Sequence, residues 1–169
     1  MRPRLVVLAP TAAAVVQGAG GWLFDRVMAG WDVMALVADH TEMRPLQILG
    51  VRVADLTSCL NANHRGPLPQ AIAVDAELCS MDARVRDRLS RVLDEGQHEE
   101  VTLWGDGSTA DFGRPVDSVL HHLSYAAQAF KAQALVAIAA PTPVDPDEMF
   151  HSYELHPGCR EVRDLVPMS

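Results

Sequence analysis

Two short apolar runs on either side of a helix-like stretch limit what this chain can fold into. Arg4-Leu5-Val6-Val7-Leu8-Ala9-Pro10 is almost unbroken, and residues 31–38 repeat the pattern. Such runs suit strands buried on both faces of a parallel sheet, because a strand with one wet face would alternate. Between them, residues 20–30 place apolar side chains at helical spacing and close on Gly30. A helix stopped by glycine between two buried strands is a βαβ crossover. Ligands of open parallel sheets sit beyond the carboxyl ends of the strands, so chemistry is expected in residues 10–21, read as a loop. That stretch, from Thr11 through Ala13 and Ala14 to Gly21, contains no ionisable side chain.

Further along, residues 50–56, 100–105 and 134–140 read as strands, and residues 43–49 as a short helix. Residues 75–95 carry apolar side chains every three or four positions, an amphipathic helix with a mixed-charge outer face ended by Gly96. Residues 115–131 read as a helix entered through Pro115. The expectation is an α/β fold: a Rossmann-like parallel sheet of about five strands ordered 3-2-1-4-5, with helices on both faces in three layers. One domain over residues 1–142 is followed by an extended tail, 143–169, rich in Pro and acidic residues, that packs on the domain or on a partner.

A net charge of −8 and a single lysine, Lys131, argue against a nucleic-acid partner, whose phosphates require clustered Lys and Arg. No apolar run reaches the ~20 residues of a membrane span. The basic start followed by apolar residues superficially imitates a signal peptide, but removing it would delete the first strand. Three scattered cysteines, Cys59, Cys79 and Cys159, fit neither a disulfide framework nor a metal knuckle, and a cytoplasmic setting is expected. His64 lies in turn chemistry. The adjacent pair His121–His122 would point about 100° apart on a helix and so could not share an ion. His151, His156 and Cys159 form a metal cluster only on paper.

The stretch Leu8-Ala9-Pro10-Thr11-Ala12-Ala13-Ala14-Val15-Val16-Gln17-Gly18-Ala19-Gly20-Gly21, followed by Gly30-Trp31-Asp32-Val33, resembles the opening of the PIG-L/LmbE-like N-acetylglucosaminyl de-N-acetylases. Those enzymes typically read A-P-H-P-D-D-E-x-L-G-C-G-G, then a helix, then G-(W/H)-(D/E)-V. The resemblance puts the metal-binding His at Thr11, the base Asp at Ala13 and the ligand Asp at Ala14. Residues 112–121 are similar to Y-G-H-P-D-H-R-A-V-H, with Pro115 kept, the first His at Arg114 and the ligand His at Asp117. It therefore implies a degenerate relative that retains the frame but has no catalytic residues, metal or cofactor, the family's zinc having lost its ligands.

Three readings follow. The first is a catalytically dead binding, scaffolding or assembly protein. The second is a divergent hydrolase of N-acetylated sugar conjugates with a repurposed site at the cleft rim: Asp39, His40, Asp106, Asp111, Arg114 and Asp117. The third is a small-molecule-binding Rossmann-like protein, prompted by Gly18-Ala-Gly20, although the full GxGxxG spacing is absent. The expected partners are a second copy or another protein, or a small molecule in the carboxyl-end cleft. The apolar residues 12–16 are expected to be covered by Phe150, Tyr153 and Leu155 of the tail or by a second copy.

Overall fold

The computed structural model describes residues 2–62, 66–105, 112–153, 155 and 165–167. Strand β1 (Arg4–Thr11) runs directly into helix α1 (Ala12–Met28) and then β2 (Asp32–Asp39). Helix α2 (Arg44–Ile48), β3 (Arg52–Asp55), α3 (Leu56–Asn61), β4 (Ala71–Asp75), α4 (Ala76–Met81), α5 (Ala83–Glu95) and β5 (Glu100–Trp104) follow. The chain continues through β6 (Val116–His122), α6 (Tyr125–Ala137), β7 (Asp147–Tyr153) and β8 (Val166–Pro167). The described strands form one sheet ordered β3-β2-β1-β4-β5-β7-β6-β8.

The five strands β3, β2, β1, β4 and β5 pair in parallel in the order 3-2-1-4-5, but the fourth and fifth are residues 71–75 and 100–104 where 100–105 and 134–140 were expected, and the remaining strands pair antiparallel, so the sheet is mixed. Along β1, Leu5, Val7 and Ala9 enter one apolar cluster and Leu8 the other, so the unbroken run is buried on both faces. Helices α1, α2 and α6 cover the first face, while α3, α4 and α5 cover the second. The result is the three-layer α/β arrangement.

Several elements differ from the sequence reading. The stretch taken as a loop is the first half of α1, which begins at Ala12 because Thr11 caps it: the Ala14 N–H donates to the Thr11 hydroxyl at 3.1 Å. The fourth parallel strand is β4, a short segment the reading passed over. The single helix expected over 75–95 is two, divided at Asp82, whose carboxylate caps α5 by accepting from the Arg84 N–H. The helix expected over 115–131 begins instead as β6, and the strand expected over 134–140 is the last turn of α6 with its cap. The segment read as a tail contributes β7, which is antiparallel to both β5 and β6 and lies inside the sheet.

The glycines of α1 allow close packing and do not form a phosphate turn. A Cβ on Gly18 would lie 2.1 Å from Trp104 Cδ1, and one on Gly21 would lie 2.2 Å from Leu123 Cδ2. Gly18-Ala-Gly20 therefore lies in mid-helix, against the nucleotide-loop reading.

Candidate functional site

Thr11 ends β1 opposite Asp39 at the end of β2, and α1 starts at the next residue, Ala12. The C-terminal end of α6 approaches from the side. Together they line an open cleft of about 360 Å³, with Thr11, Ala12 and Ala13 on one wall, Asp39, Thr41 and Glu42 on another, and Ala137–Ala139 closing it. The Asp39 carboxylate accepts from the Thr41 N–H at 3.0 Å and from the Thr41 hydroxyl. These bonds, the hydroxyl's first, favour the charged form and hold Asp39 below the usual carboxylate range. Ala12–Val16 were expected to be covered by Phe150, Tyr153 and Leu155 or by a second copy. Ala12, Val15 and Val16 are buried with Phe150 in one cluster, while Tyr153 and Leu155 pack in the other, and Ala12 and Ala13 border the open cleft.

Ala139 carries φ of 54°, the left-handed region, and closes α6: its own N–H reaches the Val136 carbonyl and the Ala140 N–H reaches Leu135. A Cβ in this region is strained, and glycine would not be. Ala139→Gly is expected to raise stability by about 0.5–1 kcal/mol, or about 2–3 °C in Tm by calorimetry.

The proposed rim does not come together as one constellation. His40 turns away to Asp55, 3.2 Å from its carboxylate, and Asp55 is itself the cap of α3. Arg114 pairs with Asp94 of α5 at 3.0 Å, on the second helical layer. Asp117 is exposed on β6, level through Ser152, Thr102 and Ala73 with Val7 in mid-sheet. Four strand spacings, about 19 Å, separate it from β1. Asp106 and Asp111 lie outside the described residues, as do His64, His156 and Cys159. Among the described residues, no group of three His, Cys, Asp or Glu side chains is placed to hold a metal ion. Cys79 is buried, and desolvation with the nearby Asp75 charge pushes its thiol up to about 11, which leaves it unreactive.

The sequence reading missed a buried polar insertion in the middle of α1. Glu148 of β7 accepts from the Gly21 N–H at 3.0 Å and the Trp22 N–H at 2.7 Å. Lys131 of α6 donates to Glu148 at 2.7 Å and to the Gln17 carbonyl at 3.0 Å, the acceptor that Gly21 would ordinarily use. The ion pair thus ties α1, α6 and β7 together through the helix backbone. A lone lysine in an otherwise uncharged helix was the available signal, since buried charge needs a partner. Nearby, Asp25 accepts from His121 Nε2 at 2.7 Å and from the Ser124 hydroxyl at 2.6 Å. Ser124 is also the cap of α6, accepting from the Ala127 N–H. Its hydroxyl bonds to the carboxylate and not to the imidazole, so the trio clamps the end of β6 to α1 and does not form a nucleophile–base relay.

No family model and no curated protein matches the sequence. Solved structures do match in shape. The antimicrobial reagent A40926 pseudoaglycone deacetylase Dbv21 superposes with a TM-score of 0.60 at 12% identity, covering 90% of this chain and 97% of that one. The zinc-inhibited teicoplanin deacetylase Orf2 gives 0.56 at 13% identity, covering 81% and 84%. The fold is that of these deacetylases. The 4-carboxy-2-hydroxymuconate hydratase GalB from Pseudomonas putida KT2440 shares it too, with a TM-score of 0.52 at 11% identity over 95% of this chain and 99% of that one. The deacetylase fold thus carries at least two chemistries, and what this chain does must be argued from its own residues.

Proposed function

We propose that the chain is a degenerate PIG-L/LmbE-like protein without metal-dependent deacetylase chemistry, acting as a cytoplasmic binding, scaffolding or assembly module. The observation that carries this reading is the turn joining β1 to α1. Thr11, at the place the resemblance gives to a metal-binding His, is engaged as a helix cap, and Ala13 and Ala14 occupy the next turn. Catalytic zinc takes three protein ligands of N, S or carboxylate type and works beside a general base. Two methyl groups, one committed hydroxyl and a distant Asp117 do not fit that ion, so no hydrolytic step is derived through it. Both neighbouring chemistries, deacetylation and hydration, belong to proteins about one-tenth identical to this one, which supports a divergent relative.

Purified protein is expected to hold no stoichiometric zinc by elemental analysis and to leave N-acetylglucosaminyl conjugates intact. One dialysis-resistant zinc per chain accompanied by turnover would overturn the reading. The open cleft favours a second reading, small-molecule binding beside the ionised Asp39. Loss of ligand binding on Asp39→Asn, with zinc and hydrolysis still absent, would select it.

A further inference from the structure

We propose that the outward face of α6 receives a second copy of this chain, the two helices lying antiparallel across a two-fold axis between Ala129 and Ala132. The inference rests on the assembly half of the reading above and names its surface.

Helix α6 is thirteen residues long, and its only charged residue, Lys131, is turned inward and buried. The outward side chains are Tyr125, 92% exposed, Val136, 59% exposed, and Phe130, 44% exposed, with alanines and glutamines between them. Helix α5 has the same length and the opposite character: Arg84, Asp87, Arg91 and Asp94 face water along it. Two copies of a chain with net charge −8 repel on average. An uncharged face is where that repulsion opposes approach least.

The face is also self-complementary. Helical periodicity places Tyr125, Ala129, Ala132 and Val136 on one stripe, with the two alanines at its middle. Tyr125 and Val136 are eleven residues apart, about 16 Å along the axis. An antiparallel two-fold pairing therefore sets each Tyr125 ring over the other copy's Val136 and Ala129 against Ala132, with large side chains over small ones at the ends and a close approach at the centre. Phe130 stacks on Phe24 at 4.5 Å, and Met28, one turn along α1, is 71% exposed, so the apolar surface continues onto the neighbouring helix. These side chains leave on the order of 400–500 Å² of apolar surface open, at the upper end of what monomers expose. Counted on both copies it comes to about 800–1,000 Å², below the standard specific interface and in the range of weak, transient pairs, which fits a dimer formed only at high micromolar concentration and above. The same pairing brings the second copy's Tyr125 beside the turn at Ala137 that closes the cleft.

Sedimentation equilibrium of the full chain from micromolar to near-millimolar concentration tests this. The unmodified chain is expected to pass from monomer to dimer, and Tyr125→Glu and Val136→Glu are each expected to weaken association at least tenfold. Both positions are exposed, so their melting curves should match the parent and exclude unfolding as the cause. Met81→Glu is the control, 65% exposed on α4 in the opposite layer, and should dimerise as the parent does. A monomer at every concentration, or a dimer indifferent to both α6 variants, overturns the proposal. The zinc and hydrolysis assays decide the degenerate-enzyme reading separately.

Discussion

Lys131→Met is expected to destabilise the protein by about 3–5 kcal/mol, read from the midpoint of urea denaturation. The substitution keeps the length of the side chain but leaves Glu148, buried and facing two helix amides, without its cation, and leaves the Gln17 carbonyl without its donor. Domains of this size are stable by about 5–15 kcal/mol, so a loss on this scale removes a large fraction of the total. Glu148→Ala should cost a similar amount, because it strands the ammonium in the same place. The double variant Lys131→Met/Glu148→Ala should cost less than the two single changes together, with a coupling of about 1–3 kcal/mol, since neither charge is then left alone. Additive losses would show that the pair does not act as a unit and that Glu148 does not depend on Lys131 at the α1 backbone.

Gly18→Ala is expected to cost about 3 kcal/mol, or about 10 °C in Tm, although alanine is the better helix former by about 1 kcal/mol. The reason is steric: the new methyl would stand 2.1 Å from Cδ1 and 2.4 Å from Nε1 of Trp104, whose indole is 2% exposed and has nowhere to retreat. Trp104→Phe in the same chain should recover part of the loss by shrinking the obstacle. A Gly18→Ala protein as stable as the parent would mean that α1 does not lie this close to β5.

The first crossover was readable because its signals are local and agree. Runs buried on both faces, a helical spacing and Gly30 all pointed to β1-α1-β2, and the strands formed within a residue or two of the expected places. The first half of α1 was lost to its glycines. Thr11 followed by Ala12 to Val16 is a capped helix start, but three glycines within four residues outweighed it until Trp104 and Leu123 showed what the glycines admit. At the other end of the chain, composition misled twice. Residues 134–140 are apolar throughout and read as a buried strand, although alanine dominates them and favours helix. Val116-Asp117-Ser118-Val119-Leu120-His121-His122 forms a strand with one wet side, and Pro115 before it imitated a helix start. In the candidate site, Thr11, Ala13 and Asp39 were legible as strand-end positions. The partners of His40 and Arg114 and the mid-sheet place of Asp117 were not, because they depend on which layer each segment returns to.

The place of β7 has a consequence for how the chain assembles itself. Residues 147–153 enter between β5 and β6, which end at residues 104 and 122, and supply the core with Phe150 and Glu148 together. Until that segment has been made, β5 presents an unpaired edge and β6 has no neighbour joining it to the parallel strands, so the nascent chain carries an open flank on which another nascent chain can template. Long-range pairing of this kind closes late and slowly, and the Gly21 and Trp22 amides wait for the Glu148 carboxylate over the same interval. The parallel half of the sheet forms in the order of synthesis, whereas the antiparallel half is completed from its middle.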